Sequence, residues 1–117
     1  MRRKAIKETQ RRAVYEKYHG RCAYCGSPIT YQEMQVDHIV ALANGGTNDL
    51  SNLNPSCPLC NTFKGDSSIK SFRRRLKTLT HKLREKQPFH IALHYGLLVE
   101  DKKKYPIKFY FEGVKHK

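Results

Sequence analysis

Apolar residues recur at spacings of three and four in two stretches of the chain, which predicts two amphipathic helices. Thr9 is placed to cap the first helix, over residues 10–19, and a glycine follows it. The second helix is predicted from Ser67 or Ser68 to about Lys86, shortly before a proline. The apolar positions are Ala13, Val14 and Tyr18 in the first helix and Ile69, Phe72, Leu76, Leu79 and Leu83 in the second.

A different pattern lies between the two helices. Alternating apolar and polar residues predict a strand over residues 34–40, and the glycine-rich segment 44–47 predicts a turn after it. Residues 49–53 are expected to return as a shorter strand, and residues 58–64 to form a helix that Gly65 ends. The predicted order is therefore strand, loop, strand and helix.

The last third of the chain carries weaker signals. Residues 89–98 favour a short helix, residues 100–104 a charged loop, and residues 107–111 a strand at a sheet edge. The tail after Gly113 is expected to fray.

Composition narrows the class of partner. Of the 117 residues, 38% are hydrophobic and 28% charged, and the formal net charge is +13. So small a chain buries a limited hydrophobic core, and an additional cross-link that stabilises the fold is therefore expected. The positive net charge favours a polyanion as the binding partner. Nucleic acid is preferred over anionic membrane, because the chain has no long apolar run and its basic stretches carry no wide apolar face.

Four cysteines form two Cys-x-x-Cys pairs, Cys22 with Cys25 and Cys57 with Cys60. No apolar segment follows the basic first residues, so no secretory signal is recognised and a cytoplasmic protein is expected. Pairs at this spacing in such a chain predict zinc binding rather than disulfides, the alternative being two unrelated thiol pairs. Four thiolates fill the tetrahedron of a zinc ion, so the predicted zinc is structural.

Residue types suited to phosphodiester hydrolysis lie near these cysteines. Asp37 and Asn61 offer the carboxylate and amide oxygens that Mg²⁺ and similar cations prefer, and His38 is a residue type suited to general-base catalysis. An Asp-His pair alone is a weak signal, since a satisfied core histidine or a surface pair is its usual explanation. Neighbours on a flat strand face opposite sides, so we expect this pair where the strand bends or ends.

Taken together, these features resemble the HNH endonuclease family in its zinc-bound ββα-metal form. The matching residues are Cys22, Cys25, Asp37, His38, Ile39, Gly45, Gly46, Asn52, Leu53, Cys57, Cys60, Asn61, Lys64 and Gly65. The resemblance covers about residues 10–66, and Asn61 makes the chain an H-N-N variant. It implies an α+β fold: a ββα-metal core with structural zinc, flanked by an N-terminal helix and by a basic C-terminal helix with a short strand.

The resemblance also implies a role for each site residue. His38 activates the attacking water as general base, while Asp37 and Asn61 hold a catalytic Mg²⁺, Mn²⁺ or other divalent ion. Asn52 braces the loop and orients the histidine. The implied activity is hydrolysis of DNA, by nicking or double-strand cleavage, in a bacterial or phage-infected cell.

The predicted organisation is a nuclease core over residues 1–66 and a basic extension over residues 67–117, within the same compact unit, that contacts DNA or a partner. A non-catalytic, zinc-stabilised nucleic-acid-binding module is an alternative function, and a nuclease subunit of a phage packaging or restriction assembly is another. The oligomeric state is not predicted. The predicted DNA contacts, each with a solvated surface side chain as its alternative, are Lys64, Lys70, Arg73, Arg74 and Lys77.

Overall fold

A computed structural model describes residues 6–101 and 107–114. The elements in chain order are α1 (Glu8–Lys17), β1 (Gln35–His38), β2 (Leu53–Ser56), α2 (Pro58–Lys64), α3 (Ile69–Arg84), α4 (Gln87–His94) and α5 (Tyr110–Gly113). Two short 3₁₀ turns, Leu42–Asn44 and Leu50–Asn52, lie between the strands. This mixture of helices with a two-stranded sheet confirms the predicted α+β class. Among the described residues, the helices are too short or too polar to cross a bilayer.

The chain divides into two compact units. The first comprises residues up to Ile69 together with those from Phe109 onward, and the second comprises Lys70–Lys108. The chain therefore returns to its first unit at the end. The division at residue 66 and the single compact unit inferred from the sequence stay predictions.

The sheet of the first unit is an antiparallel pair in which Asp37 lies opposite Asn54 and His38 opposite Leu53. All four residues of β2 are buried. The second strand begins later than predicted, because residues 50–52 curl into a 3₁₀ turn before Leu53. β1 ends at His38, so the Asp-His pair lies at the end of its strand, as the alternation of side chains requires.

α1 packs its apolar side against this sheet. Val14 is fully buried and Tyr18 nearly so, as predicted, whereas Ala13 of the predicted apolar face is exposed and Lys17 of the predicted polar face is buried. The helix begins before Thr9, so the predicted cap is wrong. The side-chain oxygen of Gln10 instead accepts a hydrogen bond from the backbone N–H of Lys7, which satisfies a donor in the first turn.

The strand predicted over residues 107–111 is wrong. Residues 107–109 are irregular and Tyr110 begins α5. The aromatic alternation serves another purpose, since Phe109 and Phe111 pack edge-on against Tyr24, with ring centroids 5.5 and 5.8 Å away. The N–H groups of Tyr110 and Phe111 donate to the carbonyls of Tyr24 and Ala23 at 3.1 and 2.7 Å. Packing against one ordered turn therefore outweighs pairing in a sheet.

The second unit contains most of α3 and all of α4. α3 ends at Arg84, slightly before the predicted end. Pro88 lies in the first turn of α4, where its missing N–H costs little, so that α4 begins and ends earlier than the predicted helix over residues 89–98. Residues 102–104 of the predicted charged loop and 115–117 of the predicted tail lie outside the described residues.

Candidate active site and metal centre

The four cysteines converge on one point of the first unit. Their sulfur atoms all lie within 4.8 Å of one another, a spacing that suits a single metal ion. Cys57 caps α2, and its sulfur accepts a hydrogen bond from the N–H of Cys60 at 3.4 Å. Each Cys-x-x-Cys pair with its turn is called a knuckle below. In the knuckle of Cys22 and Cys25, Gly26 adopts a φ of 79°, which lets the chain turn back after Cys25.

The electrostatics of this cluster favour a cation. The hydrogen bond between Cys22 and Cys60 lowers the pKa of the Cys22 thiol to about 4 and raises the pKa of Cys60. Of this pair, Cys22 is thus the sulfur that loses its proton more readily. Four sulfur donors in a tight group fit a structural zinc ion, because they leave no coordination position open for water.

Asp37 is buried, with 5% of its surface exposed, between two donors. The hydroxyl of Tyr24 donates to Oδ2. The ammonium of Lys64 lies 3.2 Å from Oδ1 and 3.1 Å from Oδ2. Burial raises the pKa of Asp37, whereas the hydrogen bond from Tyr24 and the charge of Lys64 both act to lower it.

Both donors to Asp37 come from the two segments that carry the cysteines. Tyr24 lies between Cys22 and Cys25, and Lys64 lies one helical turn after Cys60 on α2. Burial and the neighbouring carboxylate raise the pKa of Tyr24, so it stays a protonated donor. The two knuckles therefore fix the carboxylate from two directions.

Lys64 occupies the interior rather than the surface. It is 1% exposed, and besides Asp37 it donates to the backbone carbonyl of His38 at 3.1 Å. The phosphate contact predicted for Lys64 is therefore replaced in this structure by an internal ion pair. The helical rotation from Asn61 to Lys64 places the two residues near one face but does not reveal the burial of the lysine.

A polar chain continues behind Tyr24. Asn54 donates to the Tyr24 hydroxyl at 3.4 Å, and its own oxygen accepts from the ammonium of Lys17 at 3.4 Å. Lys17 also donates to the carbonyls of Leu50 and Leu53, at 3.0 and 2.8 Å. Burial lowers the pKa of Lys17. Sequence reasoning missed this network, because Lys17 reads as one of many surface lysines.

His38 lies half-buried at the end of β1. Its Nε2 is 2.7 Å from the side-chain oxygen of Asn48. The following N–H, of Ile39, donates to the carbonyl of Asn52 at 2.9 Å. The ring of His38 and the backbone N–H that follows it are thus held by different partners, Asn48 and Asn52, and the ring partner was not foreseen from the sequence.

Asn52 ties together the loop between the strands. Its side-chain oxygen accepts from the N–H of Val40 at 2.9 Å, and its amide donates to the carbonyls of Val40 and Thr47 at 3.0 and 2.8 Å. These hydrogen bonds span the ends of the segment that carries Gly45 and Gly46. Gly46 tolerates no side chain, since an added Cβ would lie 1.7 Å from the carbonyl oxygen of Val40.

Asp37, His38 and Asn61 line one cavity of about 270 Å³. The other residues of its wall are Gln35, Val36, Ala41, Gly65 and Asp66. Carboxylate and amide oxygens are ligands of hard divalent cations, and a carboxylate has about four acceptor positions, so Asp37 can serve a cation beside its two donors. The residues present therefore fit such an ion. Cys60 joins the sulfur cluster while its neighbour Asn61 borders this cavity, as their separation around α2 predicts.

The family model for HNH endonuclease matches residues 22–67. We refer to residues 22–67, the segment that this model matches, as the HNH domain. The chain is 45% identical over 53 residues to the CRISPR-associated endonuclease Cas9 of Corynebacterium diphtheriae, a match covering 44% of this chain and 5% of that protein. It also resembles the crystal structure of the Type II-C Cas9 enzyme from Actinomyces naeslundii, with a TM-score of 0.54 and 29% identity, over 64% of this chain and 9% of that one. The chain thus spans a small fraction of each relative.

The HNH domain contains both the sulfur cluster and the cavity. Its limits enclose the four cysteines, Asp37, His38, Asn52 and Asn61. The four basic residues predicted on α3 lie outside the matched segment. Lys70, Arg74 and Lys77 are exposed, whereas Arg73 is half-buried and its Nε donates to the carbonyl of Ile107 at 2.9 Å. Arg73 therefore has an internal role within the second unit.

Proposed function

We propose that this protein is a metal-dependent HNH endonuclease that hydrolyses DNA phosphodiester bonds. The observation that supports it most directly is the shared cavity within the HNH domain, which Asp37, His38 and Asn61 all line. Hydrolysis needs an activated water and neutralisation of the charge that develops on the phosphate oxygens. These three residue types meet those needs at one site.

Asp37 and Asn61 would hold a divalent cation, with Mg²⁺ or Mn²⁺ as the candidates. Such a cation supplies charge stabilisation to the phosphate and the leaving oxygen. Tyr24 and Lys64 keep the Asp37 carboxylate in place, so the ligand is ordered beforehand. His38 is positioned to take a proton from the attacking water.

DNA is the proposed substrate because the chain carries a formal net charge of +13 and because the family implies it. Lys70, Arg74 and Lys77, exposed on α3, are proposed to contact phosphates of the backbone. Replacing all three with glutamine should weaken DNA binding and flatten its dependence on salt. Each phosphate that the variant no longer neutralises should reduce the log–log slope by about 0.9. An unchanged slope would remove α3 from the interface.

The proposed nuclease can act within a larger assembly. In both relatives the matching segment is a small part of a much longer protein. A subunit role in phage packaging or restriction, in the cytoplasm of a bacterial or phage-infected cell, stays the form of assembly expected from the sequence. A non-catalytic zinc-stabilised binding module would explain the cysteines and the charge. It would give no reason for the convergence of Asp37, His38 and Asn61 on one cavity.

Supercoiled plasmid incubated with the zinc-loaded protein tests the proposal. We expect nicked or linear product with Mg²⁺ or Mn²⁺ and none with excess EDTA, and we expect DNA ligase to reseal the nicks, because the family leaves 5′-phosphate and 3′-hydroxyl ends. Asn61→Ala should lose most cleavage. Thr62→Ala, an exposed neighbour on α2, is the matched control and should retain it. Metal-independent DNA binding without any cleavage would favour the binding module.

A further inference from the structure

The imidazole of His38 has a specific side-chain partner in the loop between the strands. Its Nε2 lies 2.7 Å from Oδ1 of Asn48. An amide oxygen only accepts hydrogen bonds, so the ring nitrogen that contacts it must carry the proton. We propose that Asn48 is a positioning residue that fixes His38 with its proton on Nε2 and its lone pair on Nδ1. The catalytic meaning of this inference rests on the function proposed above.

The orientation of Asn48 is set by the loop around it. Its backbone carbonyl accepts a hydrogen bond from the side chain of Gln10 on α1 at 3.3 Å. On one side of it, the carbonyl of Thr47 accepts from Asn52 at 2.8 Å, and on the other, the carbonyl of Asp49 accepts from the N–H of Asn52 at 2.8 Å. Asn48 is therefore held between two anchored neighbours at the point where its side-chain oxygen contacts the ring.

The two asparagines of this loop have separate roles. The hydrogen bonds of Asn52 join it to backbone groups of Val40, Thr47, Ile39 and Asp49, not to the imidazole. The direct contact with the ring comes from Asn48. The family resemblance assigns to Asn52 both the bracing of the loop and the orientation of the histidine. In this structure the two roles are separate: Asn52 braces the loop and Asn48 holds the ring.

The tautomer determines which nitrogen can act as base. In the proposed step, the water oxygen forms a bond to phosphorus while one water proton passes to Nδ1 of His38. The phosphorus bond to the 3′ oxygen breaks, and that oxygen takes a proton from solvent. The ring becomes doubly protonated, and its Nε2–H keeps donating to Asn48, whose carbonyl dipole stabilises the new positive charge. With the opposite tautomer, Nδ1 would have no lone pair for the water proton.

Long-range ¹H–¹⁵N NMR of the zinc-loaded full chain, without divalent cation or DNA, tests the tautomer directly. The His38 ring signals are assigned by their loss in His38→Ala. We expect the wild-type ring to be protonated on Nε2, and we expect Asn48→Ala to shift part of the population to the Nδ1-protonated form. Asn48→Asp keeps an acceptor at this position and should preserve the wild-type tautomer. Asn44→Ala, an exposed asparagine of the same loop, is the matched control.

Cleavage of plasmid is then measured on the same variants at saturating protein. General-base catalysis contributes roughly 10²–10⁴-fold, so we expect Asn48→Ala to slow the cleavage step by about tenfold or more with DNA affinity unchanged, and Asn48→Asp to recover part of the rate. A wild-type ring protonated on Nδ1, or a tautomer ratio unchanged in Asn48→Ala, would overturn the inference. Absence of cleavage by a wild-type protein with the expected tautomer would overturn the proposed function instead.

Discussion

Replacing Lys64 with methionine removes the ammonium that pairs with the buried carboxylate of Asp37. The side chains of Lys64 and Asp37 are 0% and 5% exposed, and they lie 3.1 Å apart. Methionine retains much of the length and apolar volume of the lysine stem, so packing changes little. The substitution therefore isolates the loss of charge pairing and of the hydrogen bond to the His38 carbonyl.

The magnitude follows from the burial of both groups. Breaking a buried ion pair from one side costs about 3–5 kcal/mol of unfolding free energy, because the remaining charge is left uncompensated. Lys64 acts to lower the pKa of Asp37, so the pair stabilises the fold while Asp37 is ionised. That contribution is lost as pH falls through the pKa of Asp37, and the difference between wild type and Lys64→Met should shrink accordingly.

Urea unfolding followed by circular dichroism, with zinc in excess at each pH, measures this difference. Lys7→Met is the matched control, since Lys7 is exposed on the same unit, and it should cost less than about 0.5 kcal/mol. Adding Asp37→Asn to Lys64→Met should cost less than the sum of the two single changes. A loss in Lys64→Met no larger than that of Lys7→Met, or strict additivity in the double variant, would refute the buried pair.

Other changes test the supports of the site. Tyr24→Phe removes the hydroxyl that donates to Asp37 and accepts from Asn54. It should lower the free energy of unfolding, measured in urea, by about 1–3 kcal/mol. A loss of stability that does not change with pH around the pKa of Asp37 would contradict the assigned hydrogen bond. Asn52→Ala removes three hydrogen bonds of a partly exposed loop and should lower the free energy of unfolding by about 1–3 kcal/mol. The amide hydrogen of Val40 should also exchange faster with solvent. An unchanged exchange rate would count against the bracing of the loop by Asn52. Stripping metal with a strong chelator should abolish the cooperative thermal transition of the HNH domain and zinc should restore it, whereas an unchanged transition would show that the sulfur cluster does not stabilise the fold.

Local signals predicted much of the HNH domain. The helix Pro58–Lys64 and its end at Gly65, with a φ of 56°, agree with the predicted bounds, because proline and glycine act on the backbone around them. The spacing of the cysteines likewise predicts a shared metal site, since each pair needs only one tight turn. Local chemistry is therefore sufficient where a feature depends on neighbours in sequence.

Features that depend on distant partners were missed. Tyr24 meets Asp37 across 13 residues and Lys64 meets it across 27, so composition and periodicity carry no signal for either hydrogen bond. The alternation at residues 107–111 predicted a strand, but Phe109 and Phe111 find an aromatic partner in Tyr24 instead. Tertiary packing decides such cases, because a short segment with β propensity needs a partner strand to become one.

Cleavage of supercoiled plasmid by His38→Ala, compared with wild type and with His81→Ala, tests the central claim most directly. His81 is an exposed histidine of α3 and serves as the matched control. We predict that His38→Ala loses metal-dependent cleavage by at least about 10²-fold, while zinc content and DNA affinity stay normal, and that His81→Ala cleaves at the wild-type rate. Cleavage by His38→Ala at a rate near that of wild type would contradict the account.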